Sequence, residues 1–167
     1  MFYAILFHRV KKALRPGGLF YFPEKPMPPK IHAPKRRGEW VELQFMARAT
    51  GKGFTVSKPW GDSARYDFAV EHNGRFHRVQ VKSTMQQCKV GRGAYLCNTI
   101  SRAPYREEKG YTHKDIDFFA FFIIPEELWY IVPIADVRRA RYAVFLNPFI
   151  EKNRWFRYLE AWDLMRN

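Results

Sequence analysis

Acidic residues are scarce in this chain: Asp and Glu number 16 against 29 Lys and Arg, a formal charge of +13 over 167 residues. That imbalance disfavours acidic ligand-binding surfaces and predicts attraction to polyanions, nucleic acid first and an anionic membrane surface second. Cysteine is nearly absent. Cys88 and Cys97 are the only two and lack zinc-like spacing, which excludes a disulfide scaffold and fits a reducing cytoplasm. Long apolar runs are missing too, since the longest, Phe118 to Pro125, is far too short to span a bilayer. Phe2 to Phe7 is apolar, but its basic residues follow rather than precede it, the wrong order for a secretory signal. There is no internal repeat. The expectation is a soluble, cytoplasmic protein with no membrane partner.

What is present suits one folded domain. A hydrophobic fraction of 47%, with 15 Phe, 9 Tyr and 5 Trp, supplies a core and leaves aromatics for a binding surface. Residues 1–37 read as a separate basic, Pro-rich arm, extended in its second half and ending in Lys35-Arg36-Arg37. It is either a loose tail or a strap along a phosphate backbone. The core is placed at 38–140 and a basic aromatic extension at 141–167.

Within the core, Gly38 to Thr50 has helical spacing, with Val41 and Phe45 four apart and Trp40, Leu43 and Ala47 at i, i+3 and i+7. Gly51-Lys52-Gly53 supplies the stop. Phe54–Ser57 reads as a strand, and Ala94–Ile100 as another. Phe118–Ile124 is a buried strand by its unbroken apolar run, with Leu128–Val132 its partner across Pro125-Glu126-Glu127. Ala135–Ala140 begins a helix, and Trp155–Met165 suits one more. The order predicts an α/β fold: a mixed β-sheet with the first helix on one face.

Asn73-Gly74 between two apolar-rich runs, Arg65–His72 and Arg75–Ser83, is a type I′ hairpin signal. The turn sets the register. His72 faces Arg75, so counting back puts Asp67 opposite Gln80, with Lys82 two residues along the same face. Opposed Cβ atoms lie about 5 Å apart and diagonal ones about 7–8 Å. One carboxylate, one amide and one ammonium thus converge, which is the equipment of a metal-dependent nuclease.

Phosphodiester hydrolysis needs an activated water, neutralisation of growing phosphate charge and an acid for the leaving oxygen; Mg²⁺ supplies much of the first two. Mg²⁺ takes oxygen ligands and retains waters, so one or two carboxylates suffice. Asp67 is the anchor, the Val81 carbonyl a second ligand, and Gln80 a neutral amide ligand. Lys82 orients the attacking water, offsets charge on the phosphate and is a candidate general base. Glu39, after Gly38 in the first helical turn, is a third acid if the helix packs across the sheet. Its blander role is to complement the helix dipole. Glu42, one turn later, is a similar candidate. The blander account of Asp67, Gln80 and Lys82 is a solvated sheet face.

Gly38-Glu39, Gly53-Phe54-Thr55-Val56 leading to Pro59, Arg65-Tyr66-Asp67 and Arg78-Val79-Gln80-Val81-Lys82-Ser83 together resemble the PD-(D/E)XK nuclease superfamily. The nearest likeness is to its group I intron homing endonuclease branch, which carries Arg-Tyr-Asp and Gln-Val-Lys. Asp115-Ile116-Asp117-Phe118-Phe119-Ala120 and Trp129-Tyr130-Ile131-Val132-Pro133 extend the resemblance over residues 38–137. It implies a restriction-endonuclease-like core, Mg²⁺-dependent double-strand DNA cleavage, an active site of Glu39, Asp67, Gln80 and Lys82, and a homo-oligomer. Tyr66 stands where the superfamily name has proline, and Gln80 where it has an acid, which removes one negative metal ligand.

Phosphate contacts are expected from Lys35, Arg36, Arg37, Arg75, Arg92, Arg102, Arg106 and Lys109. Two other readings remain open: a structure-specific nuclease resembling Holliday junction resolvases, and a catalytically decayed DNA-binding module, favoured by Gln80.

Overall fold

The computed structural model describes residues 31–61, 63–88, 93–100, 110–137 and 142–166. Helix α1, Pro34–Gly51, opens with proline at its first positions, where the missing N–H costs nothing. It begins earlier than its periodicity predicts. Lys35, Arg36 and Arg37 therefore lie in its first turn rather than on an extended arm, and Glu39 lies in the second turn. Only Val41, Phe45 and Ala49 are buried, a single i, i+4, i+8 stripe. Leu43 is 62% exposed, contrary to the broader apolar face expected.

The C-terminus of α1 is set by Gly53 at φ +86°. Its N–H donates to Thr50 O at 2.9 Å while Phe54 N–H reaches Ala49 O at 3.2 Å. That crossed pair satisfies carbonyls the helix would otherwise orphan and turns the chain into the sheet.

Five strands, β1 (Thr55–Ser57), β2 (Phe68–His72), β3 (Arg75–Thr84), β5 (Phe118–Ile123) and β6 (Leu128–Pro133), form a sheet in the order β1-β2-β3-β5-β6. All neighbours are antiparallel except β3 and β5, which run parallel. β4 (Tyr95–Asn98) pairs with β7 (Ala143–Leu146) as a separate antiparallel ribbon. β7 has no counterpart in the sequence reading, since four residues carry too little pattern. A short helix α2, Ile134–Val137, follows β6.

β5 is buried at every position because both faces of the sheet are covered. Phe118, Ala120 and Phe122 face the α1 side with Val41, Phe45, Phe68 and Val79. Phe119, Phe121 and Ile123 face the ribbon side with Tyr95, Cys97, Val144 and Leu146.

The expected C-terminal helix over Trp155–Met165 is replaced by two 3₁₀ turns, Phe156–Tyr158 and Trp162–Met165. They wrap the open edge of β6. Glu160, at φ +51°, reverses the chain between them. Its N–H donates to Trp129 O at 2.8 Å, and its carboxylate accepts from Trp129 N–H and Trp162 Nε1, both at 2.9 Å. Trp155, Tyr158 and Leu159 thereby join the ribbon-side core, and Trp162 and Met165 the α1-side core. The tail is thus part of the core, and a helix could not cross the sheet edge in so few residues.

Candidate active site

The hairpin register is the one its turn predicts. Asn73 and Gly74 both take positive φ, +52° and +80°, and the ladder runs from His72↔Arg75 to Phe68↔Val79. Asp67 enters just before β2, its N–H on Val79 O at 2.9 Å. Its side chain folds over the neighbouring strand: Oδ2 accepts from Val81 N–H at 2.7 Å and from Gln80 Nε2 at 2.5 Å. Because β2 begins at Phe68, no strand residue takes up the ladder position beside Val81, and the carboxylate fills it.

The amide and carbonyl of one strand residue point to the same side. The Val81 carbonyl therefore opens on the edge where Asp67 sits, with Gln80 Nε2 donating to it at 3.4 Å. Burial pushes the Asp67 carboxyl up to about 6; the Val81 N–H pulls it down, Glu42 raises it, and Lys82 and Gln80 lower it. A carboxylate so raised lacks a sufficient counter-charge. That is the condition a bound cation relieves.

Lys82 is half-buried one residue further on. Its Nζ lies 5.4 Å from the Tyr111 ring centroid, and the Arg65 guanidinium lies 5.2 Å from the same ring. Tyr111 in turn packs edge-on against Phe119 at 5.3 Å. Tyr111 is a support the sequence reading missed, because it lies in a turn-rich stretch without periodicity. Arg65 also pairs with Asp115 Oδ1 at 3.4 Å.

Of the two helix acids, Glu42 is the one whose charge acts on Asp67. Glu42 is half-buried, whereas Glu39 is exposed and acts on Lys58 instead. Lys58, on the segment after β1, meets Glu42 Oε2 at 2.6 Å. It escaped the sequence reading because only the packing of α1 against β1 brings residues 42 and 58 together.

Among the described residues, no three His, Cys, Asp or Glu side chains converge on a metal position. The oxygen set at hand, one buried carboxylate, a backbone carbonyl and a side-chain amide, fits a hard cation that keeps several waters, and not an all-protein zinc cage.

The expected phosphate contacts divide. Lys35 and Arg36 are exposed on the first turn of α1, and Arg37 lines a pocket of about 380 Å³ with Lys82, Gln86 and Asn98. Arg75 is at the turn end of the hairpin, about 23 Å along β3 from Lys82 at ~3.3 Å per residue, and so is outside this site. Arg92, Arg102, Arg106 and Lys109 lie outside the described residues.

The family described as PD-(D/E)XK endonuclease has a sequence model that matches residues 32–165. No curated protein matches the chain. Among solved structures, the bacterial homing endonuclease I-Ssp6803I is similar with a TM-score of 0.70 and 28% identity, over 80% of this chain and 93% of its own.

Proposed function

This chain belongs to the PD-(D/E)XK endonuclease family, and from that premise we propose that it is a Mg²⁺-dependent enzyme making site-specific double-strand breaks in DNA. The observation that carries the reading is the Asp67 carboxylate, buried without a full counter-charge beside the Val81 carbonyl and flanked by Lys82. The likeness to a homing endonuclease supports DNA as substrate and site-specific cutting.

Asp67 and the Val81 carbonyl would hold the ion, with Glu42 or Glu39 as the acid from α1; the half-burial of Glu42 beside Lys58 favours Glu42. Gln80 locks the Asp67 carboxylate and presents its amide to the same edge. When bound, the ion supplies charge neutralisation at the phosphate and acidifies a water. Lys82, standing on Tyr111, holds an ammonium toward the reacting phosphate, where it orients the nucleophile and offsets growing negative charge. Arg37 and the first turn of α1 grip the neighbouring phosphates. The described residues of each chain supply one such centre, so cutting both strands calls for a homo-oligomer, a dimer or tetramer, with two centres across the duplex.

The test is incubation with supercoiled plasmid and pooled genomic DNA, with Mg²⁺ or EDTA, beside Lys82→Ala. Discrete Mg²⁺-dependent fragments lost in a folded Lys82→Ala protein are the expected outcome. Gln80, in the place of an acid, favours one second reading, a DNA-binding module without catalysis. Mg²⁺-independent binding with no cleavage of duplex or four-way junction would establish that reading instead.

A further inference from the structure

We propose that Lys58 is a built-in counter-ion of the acidic site, occupying the field of Glu42 in the metal-free protein and competing there with the divalent cation. The inference rests on the metal-dependent reading above. Glu42 projects from the flank of α1 beside the buried Val41 and Phe45, so its carboxylate is held in place by the helix. Lys58 reaches it from the segment after β1: its ammonium is 2.6 Å from Glu42 Oε2 and 5.9 Å from the centroid of Phe68, the residue next to Asp67. Asp67 and Glu39 add their negative charge to that of Glu42 at this ammonium.

Glu42 alone touches the lysine, and the charges of Asp67 and Glu39 act on it from further off. Two cations cannot occupy one carboxylate field without repelling each other, so an ion drawn to Asp67 and Glu42 must displace Lys58 or bind against it. The pair is built to release. Side-chain exposure is 56% for Lys58 against 24% for Glu42, so the lysine end can swing into water while the acid stays put. Pairs of that exposure are weak, and the flexible four-carbon stem lets the ammonium move without backbone change.

Ca²⁺ titration of the full chain by calorimetry, without DNA, tests this. Lys58→Met keeps the apolar stem and removes the charge, and should bind Ca²⁺ up to about 5-fold more tightly, the scale of one exposed ion pair. Lys58→Arg should bind as the wild type does. In a Glu42→Gln background the gain from Lys58→Met should disappear, because the shared partner is gone. Ca²⁺ binding by the wild type that Lys58→Met leaves unchanged or weakens overturns the competition alone. A gain that persists in full with Glu42→Gln also overturns it. Silence of both the wild type and Lys58→Met overturns the competition together with the metal site itself.

Discussion

Asp67 is where the cost of this site is concentrated. Its carboxyl titrates near 6 in the folded protein and near 3.8 as a free side chain, chiefly because it is buried. The folded state therefore holds a proton that the unfolded state has lost between about pH 4 and 6, and metal-free stability falls as pH rises through that window. Above it the ionised, desolvated carboxylate carries the full penalty. In EDTA, Asp67→Asn should gain on the wild type from pH 4 to pH 7 by up to about 3 kcal/mol, read by urea melts. The same variant should lose all cleavage. No relative gain would mean that the hydrogen bonds from Val81 and Gln80 fully compensate the charge. At Lys82 the neighbour to change is Tyr111: Tyr111→Leu keeps apolar volume but removes the π face under the ammonium. Single-turnover cleavage should slow by roughly 3–10-fold, with DNA affinity little altered, since a cation–π contact contributes on the order of 1 kcal/mol.

At the scale of elements, the hairpin positions the site and Arg78 anchors it. Gly74 has nothing within 4 Å of where a Cβ would sit, but its φ is +80°. Gly74→Ala should therefore cost about 1–2 kcal/mol in thermal or urea melts through backbone strain alone. Cleavage per folded molecule should persist, because the turn is at the far end of β2 and β3 from Asp67. Arg78 grips Asp117 in a fork, Nε to Oδ2 at 3.1 Å and Nη2 to Oδ1 at 2.9 Å, and also reaches the carbonyl of His113 at 2.8 Å. Burial raises the Asp117 carboxyl, but the hydrogen bonds and charge of Arg78 outweigh it and hold the group below its usual range. Arg78→Lys keeps charge but not the fork. It should destabilise by about 1–3 kcal/mol, loosening β3 against β5 and, with it, the lie of Lys82.

For the whole molecule, the tail and the charge matter most. Phe45 lies 5.3 Å from Phe68, 5.6 Å from Trp129 and 5.6 Å from Trp162, so the α1-side core is closed by a ring from the last turn. Truncation after Asn153 removes Trp155, Tyr158, Leu159, Trp162 and Met165 and uncovers both cores. It should abolish cooperative unfolding, as seen by calorimetry or near-ultraviolet circular dichroism. A truncated chain that melts cooperatively would make the tail an appendage after all. With a formal charge of +13, the logarithm of DNA affinity should fall linearly with log salt, each neutralised phosphate contributing a slope of about −0.9.

Local rules were enough for much of this protein. Asn73-Gly74 dictated a two-residue turn with a ladder from His72↔Arg75 to Phe68↔Val79, and a strand's period of two put Gln80 and Lys82 on one face, with Asp67 just beyond the last pair. The unbroken run of β5 announced a strand covered on both faces, and the family motifs pointed to the same centre as the spacing. Contacts between distant segments were another matter. Glu42 with Lys58, Lys82 on Tyr111, and the tail crossing the β6 edge join residues whose neighbours in sequence carry no period that predicts them. Tertiary packing also left Glu42 half-buried against Lys58 and Glu39 exposed, because a helix face is set by where it packs. Backbone geometry propagates along a strand, but the meeting of two elements is decided only when their shared apolar surface leaves water.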